Sequence, residues 1–191
     1  MPVPHPGGRT PAPAPLDLVQ DFVNTEIPEW AQDDLSTPAA LGDWLIQRGL
    51  LDPDELRPDA VAFVRARALR SALRALTLAH TTGVPAVEDS SSMIAEAFGT
   101  LPFTVGIEPS GTPRVVPAGD AVERALGGVV VAMLDAERAG LWSRLKACRK
   151  DSCGWVFFDH SRNRSSNWCS MTICGNRTKT TRYRRRRNVG A

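Results

Sequence analysis

Apolar positions along this 191-residue chain recur mostly at helical spacing, with a two-residue period confined to a few short stretches. Leu16, Leu18, Val19, Phe22 and Val23 predict a first helix over about 16–25. Asn24 is expected to cap or end it, with a place beside an effector pocket as the alternative. Residues 27–36 lack a period and read as a loop. Thr37-Pro38 then opens a second helix, with Thr as N-cap and Pro in the first turn. Leu41, Trp44, Leu45 and Ile46 supply its apolar face, with Trp44 expected in the core, and Gly49 stops it. Asp52 to Glu55 predict a short turn of helix.

The longest helix is expected from Asp59 to about Thr81, with Val61, Val64, Ala68, Leu69, Ala72, Leu76 and Ala79 on the buried side. Arg65, Arg67, Arg70 and Arg74 read as a solvated cationic face, with one of them pointing into a pocket to bind an acidic ligand as the alternative. His80 is expected as a satisfied helix-end residue. Another helix follows over 88–98, then two short strands, 103–107 and 114–116, around the turn Pro109-Ser110-Gly111-Thr112. Gly119-Asp120 opens a last long helix to about Ala139, in which Gly127-Gly128 marks a kink or a close contact. Residues 141–147 lead onward, 155–158 form a strand, 161–167 a loop, and a helix is expected from Cys174 to about Arg186. The Pro-, Gly- and Ala-rich residues 1–15 read as a flexible lead without structure.

Charge changes this picture. From Arg144 onward there are thirteen Lys/Arg against two Asp/Glu, a net +11, while the rest of the chain carries −9. The overall +2 therefore hides an acidic body and a basic end, the balance of a polyanion-binding module on a partner domain. The longest apolar run, Val129 to Leu134, is too short for a bilayer, so a soluble, cytoplasmic protein with no membrane partner is expected. No charged stretch followed by an apolar run opens the chain, which argues against export.

All four cysteines fall inside that basic end, as Cys148/Cys153 and Cys169/Cys174, two C-x4-C pairs separated by fifteen residues. Such pairs suit one structural Zn²⁺, which takes four thiolates in a closed tetrahedron. Disulfides would need an oxidising compartment, and a redox site more often has C-x-x-C; both remain weaker alternatives. The seven cations Arg177, Lys179, Arg182, Arg184, Arg185, Arg186 and Arg187 follow the last cysteine on the expected helix and form a phosphate-binding pattern. Trp155, Phe157 and Trp168 are expected to pack around the zinc knuckle, with base stacking as the alternative.

Trp155-Val-Phe-Phe-Asp159, Ser161-Arg-Asn163, Trp168-Cys-Ser-Met171 and Cys174-Gly-Asn-Arg177 together resemble the CGNR zinc finger, named for that last tetrapeptide. The resemblance covers about forty C-terminal residues. Leu16 to Thr25, ending in Asn24-Thr25, is similar to the start of the ABATE domain that usually precedes this finger. The resemblance implies a bacterial, stress-linked transcription regulator. It also implies a place for Asp159, Ser161, Arg162 and Asn163, which are characteristic of the finger and are expected to brace its hairpin against its helix.

The fold expected is mainly α. A lead (1–15) precedes an ABATE-like helical domain with one small β-hairpin (16–140), and a treble-clef-like finger follows (141–191), its knuckle preceding its hairpin and helix. The function expected is duplex-DNA binding by a nucleoid-associated regulator, with a small-molecule effector or a homodimer formed through the helical domain. An RNA-binding module and a protein-interaction adaptor are the alternatives. No enzyme is expected. Asp159-His160 is reminiscent of HNH nucleases, but His5 and His80 are the only other histidines, and a zinc closed by four cysteines leaves no water position.

Overall fold

The computed structural model describes residues 7–85, 88–176 and 178. Helix α1, Leu16–Val23, buries Leu16, Val19, Phe22 and Val23 along one stripe and ends at Asn24. Helix α2, Pro38–Gln47, starts as its sequence dictates, with Thr37 Oγ1 accepting from the Ala40 N–H at 3.1 Å. Trp44 in this helix is half-buried, its ring 5.4 Å from that of Phe22. Helix α3, Ala60–Thr82, is capped by Asp59 and closed by Gly83 at φ 69°. Helix α4 spans Glu88–Gly99 and packs on α3. Helix α5, Ala121–Arg138, begins in a capping box of Asp120 and Glu123. Strands β3, Phe103–Ile107, and β4, Pro113–Pro117, form an antiparallel hairpin whose second strand lies on α5. A Cβ added to Gly127 would sit 2.7 Å from Pro117, so Gly127 marks a close contact.

Residues 27–36 are not a plain loop. Strands β1, Glu26–Ile27, and β2, Gln32–Asp33, pair antiparallel around the 3-10 turn Pro28–Trp30, with Ala31 at φ 51°. The hairpin is too short to show a period, so the pattern misses it. Residues 52–55 form a turn, not a helical one. On α3 the buried stripe is rotated by about one position from the expected face. Ala66, Leu69, Ala72, Leu73, Thr77 and Thr81 are buried, whereas Val61 and Val64 are 58% and 64% exposed.

Arg70 lies on that rotated stripe. It occupies the buried stripe with 1% exposure, contrary to the expected solvated face. Its guanidinium grips the Asp33 carboxylate with both nitrogens, at 2.6 and 2.9 Å, and donates to Thr25 Oγ1 at 3.1 Å. One turn on, Arg74 Nη2 donates to the carbonyls of Val23 and Glu26 at 2.7 and 2.9 Å. The two arginines thus carry the β1–β2 hairpin on α3, satisfying backbone groups that two strands of two residues leave open.

The chain then re-enters the core. Strands β5, Leu145–Ala147, and β6, Val156–Phe158, pair antiparallel and are buried on both faces. Leu145, Ala147, Val156 and Phe158 join the main core with α1, α3 and α5; Phe157 and Trp155 face a second cluster that holds the four cysteines. The lead is seated as well, over residues 7–15. Ala12 is buried, and Gly7 lies against Ser170, where a Cβ would come within 2.8 Å. Among the described residues no helix is long and apolar enough to cross a membrane.

Replacing Asp33 by Ala leaves the buried Arg70 with only Thr25 and the Glu26 carboxylate at 3.7 Å, and should cost about 3 kcal/mol, read as a lower urea midpoint at unchanged slope. The hydrogen bonds from Arg70 hold the Asp33 carboxyl below the usual carboxylate range. Its stabilisation is therefore complete above the unfolded value near pH 4 and lost as pH falls through the folded one, so the variant should show a flatter acid limb.

Candidate metal centre

The centre is built from three short pieces. Cys148 and Cys153 lie in the turn that joins β5 to β6, so the knuckle is the tip of the hairpin and does not precede it as the sequence suggested. The Cys148 N–H donates to the Trp155 carbonyl and the Cys153 N–H to that of Lys150, both at 2.8 Å, which folds the turn back on itself. Gly154 completes it at φ 63°, pressed between Arg74 and Pro28 so closely that a Cβ would come within 2.9 Å of either. Cys169 and Cys174 arrive from the other side. Cys174 sits within one wide helical turn, Met171–Gly175, whose start is capped by Ser170 Oγ accepting from the Ile173 N–H at 3.3 Å. This helical segment therefore starts three residues earlier than Cys174.

All four sulfurs are buried and lie within 4.8 Å of one another. The Cys153–Cys169 and Cys169–Cys174 separations are 3.7 and 3.6 Å, and no disulfide is formed. A tetrahedron with Zn–S bonds of about 2.3 Å has sulfur–sulfur edges of about 3.8 Å. The donor set thus fits one zinc ion in size, number and softness, with every position taken by protein. Hydrogen bonds from Cys153 and Cys169 push the Cys148 thiol down to about 2, while Cys153, bonded to Cys148, is pushed up to about 12. Its hydrogen bonds to Cys148 and Cys153 likewise raise Cys169, and burial raises Cys174. A divalent cation among the four sulfurs favours their ionised forms.

The loop between β6 and Cys169 is fixed from inside. Asp159, fully buried, accepts from Lys146 Nζ at 2.9 Å and from the N–H groups of Ser161 and Ser166 at 3.0 and 2.8 Å. Lys146 also donates to the Arg164 carbonyl. Asp159 and Ser161 thus brace the loop, while Arg162 and Asn163 are exposed on it. Trp155 and Phe157 are buried beside the thiols, as expected, and Trp168 is half-buried there. His160 is exposed and its Nε2 meets the carbonyls of Thr10 and Pro11.

Three anchoring groups escaped the sequence. Asn24 ends α1, and its amide pairs with both backbone groups of Val156, donating to the carbonyl and accepting from the N–H, each at 2.8 Å. Opposite, His80 Nδ1 donates to the Leu145 carbonyl at 2.8 Å and Thr81 Oγ1 to that of Ala147 at 2.6 Å. Arg9 donates to the carbonyls of Cys169 and Trp168 at 2.8 and 3.0 Å, with its guanidinium 4.6 Å above the Phe157 ring. The sequence marked Asn24 as a helix end and His80 as a satisfied helix-end residue, but not the strand groups they serve. The cations Arg177, Lys179, Arg182, Arg184, Arg185, Arg186 and Arg187 lie outside the described residues, as does the expected helix beyond Thr178.

Among known families, the CGNR zinc finger matches residues 144–187. ABATE, described as "Putative stress-induced transcription regulator", matches residues 16–140. No curated protein matches the chain.

Metal analysis of protein purified without added metal should give one zinc per chain. Removing it by chelation should reduce the far-UV helical signal along with the finger, because β5 and β6 are part of the main core. Asn24→Ala leaves the Val156 N–H unpaired and its carbonyl with only the longer bond from Gln20 Nε2 at 3.4 Å, and should cost about 1 to 3 kcal/mol, seen as a lower thermal midpoint at unchanged zinc content.

Proposed function

The chain belongs to the ABATE family and carries a CGNR zinc finger, and from that premise we propose that it is a zinc-dependent, DNA-binding regulator of transcription. The observation that carries this reading is the join between metal and charge. Cys174, the last zinc-binding residue, is followed within three positions by the first of seven cations, so the metal centre sets where the basic segment starts. A segment that cationic binds phosphates by counterion release, and arginine can also pair with guanine edges in the major groove. Cations of the acidic body are taken up in pairs such as Arg70–Asp33 and Arg65–Glu123, so the excess positive charge lies in the basic end. Burial of Trp155 and Phe157 removes two of the aromatic platforms that single-stranded RNA would stack on, which favours duplex DNA over RNA. In this reading the helical body regulates, by self-association or by taking a small-molecule effector. Neither family description is that of an enzyme, and catalysis has no part in the proposal.

Duplex selection from a random pool, followed by a salt titration on the selected site, tests it. With six to eight phosphates contacted, log K should fall against log salt with a slope of about −5 to −7. Changing Arg184, Arg185, Arg186 and Arg187 to Ala should flatten that slope by about 3 to 4. Equal binding to competitor duplex at every salt concentration, or tighter binding to single-stranded RNA, would overturn the reading.

A further inference from the structure

The β3–β4 hairpin leaves one strand edge open. Its register pairs Thr104 with Val116 and Gly106 with Arg114. Backbone bonds from Ala118 to Pro102 and from Glu108 to Thr112 flank those pairs and fix the alternation. The even-numbered residues therefore bond within the hairpin, and the odd-numbered ones turn their N–H and C=O groups outward. On β4 the outward positions are Pro113, Val115 and Pro117, so two of three have no N–H to offer. On β3 they are Phe103, Val105 and Ile107, all with intact donors and acceptors, and none has a backbone partner outside the hairpin among the described residues. Val105 and Ile107 are 73% and 67% exposed. Edge strands are usually blunted by charge or proline; β4 is blunted in this way and β3, Phe-Thr-Val-Gly-Ile, is not.

We propose that the β3 edge pairs with the same edge of a second copy, antiparallel across a two-fold axis at Val105, to make a four-stranded sheet. The match is self-complementary. With Val105 opposite the partner's Val105, Phe103 falls opposite the partner's Ile107, and all the outward groups of both strands bond to one another. Each exposed Ile107 then lies beside a Phe103 that already packs near Gly127 of α5, so its apolar surface is covered. No charge opposes its like at the seam, because β3 carries none and Glu108 falls beyond the paired residues. Five residues per strand bury less than the roughly 1,200 Å² of a stable standard interface. The pair is therefore expected to exchange with monomer, at micromolar to sub-millimolar concentrations. The proposal gives a surface to the self-association arm of the functional reading and is tested without DNA.

Sedimentation equilibrium of the full zinc-loaded chain should show a reversible monomer–dimer equilibrium. Val105→Pro removes an outward N–H and leaves the hairpin's own ladder intact, so it should raise the dimer dissociation constant at least tenfold with unchanged zinc content and helical signal. Val105→Cys places two thiols at the axis, where paired residues are about 5.5 Å apart between Cα atoms. It should give a covalent dimer under mild oxidation, whereas Thr104→Cys should not. A chain that stays monomeric at millimolar concentration, a dimer unaffected by Val105→Pro, or equal cross-linking of the two cysteine variants would overturn it. Loss of DNA binding with the dimer intact would count only against the DNA reading.

Discussion

The fold depends on how two three-residue strands are sealed. Strands β5 and β6 are too short to stand alone, and each has an outer edge of backbone groups that water cannot reach. Side chains from the helical body fill them: Asn24 of the α1 terminus on Val156, and His80 and Thr81 of α3 on Leu145 and Ala147. A buried amide or carbonyl without a partner costs about 1 to 3 kcal/mol, so these few contacts decide whether the hairpin can sit in the core at all. Once it does, alternation along β6 sends Val156 and Phe158 into the main core and Trp155 and Phe157 toward the thiols. One hairpin thereby serves two cores, and the metal centre and the helical body share a wall.

That shared wall explains several polar groups that look misplaced in isolation. Arg70 and Arg74 occupy the buried side of α3 because the β1–β2 hairpin, which touches the knuckle through Pro28, needs its backbone and carboxylates satisfied. Lys150 on the knuckle in turn pairs with Glu29 of the same region. Burial also pushes the His80 imidazole below its ordinary range, consistent with a neutral ring that donates from Nδ1. Arg9 closes the other side of the centre by holding the carbonyls of Trp168 and Cys169. In each case a cation or an amide replaces a missing strand or helix partner.

The two larger hairpins form a useful contrast. The β5–β6 edges are closed by side chains, whereas β4 is closed by two prolines and β3 is left with exposed apolar residues. The difference follows from position: β5 and β6 lie inside the body, where an open edge would be prohibitive, and β3 lies at its margin, where solvent or another chain can satisfy it.

What the sequence determined by itself was whatever depends on neighbours in the chain. Thr37-Pro38, Asp59 and Asp120 start their helices because a cap needs only a few adjacent residues. The C-x4-C spacing told of the metal set for the same reason, and the CGNR residues of its family. Tertiary structure alone decided the rest. The Asn24–Val156 pair spans 132 positions and the Arg9–Cys169 bond 160, and nothing in local periodicity can say which distant backbone group lacks a partner. The same holds for the inward turn of Arg70 and for the seating of a proline-rich lead. Their placement is set by hydrogen-bonding needs that exist only after the chain has folded.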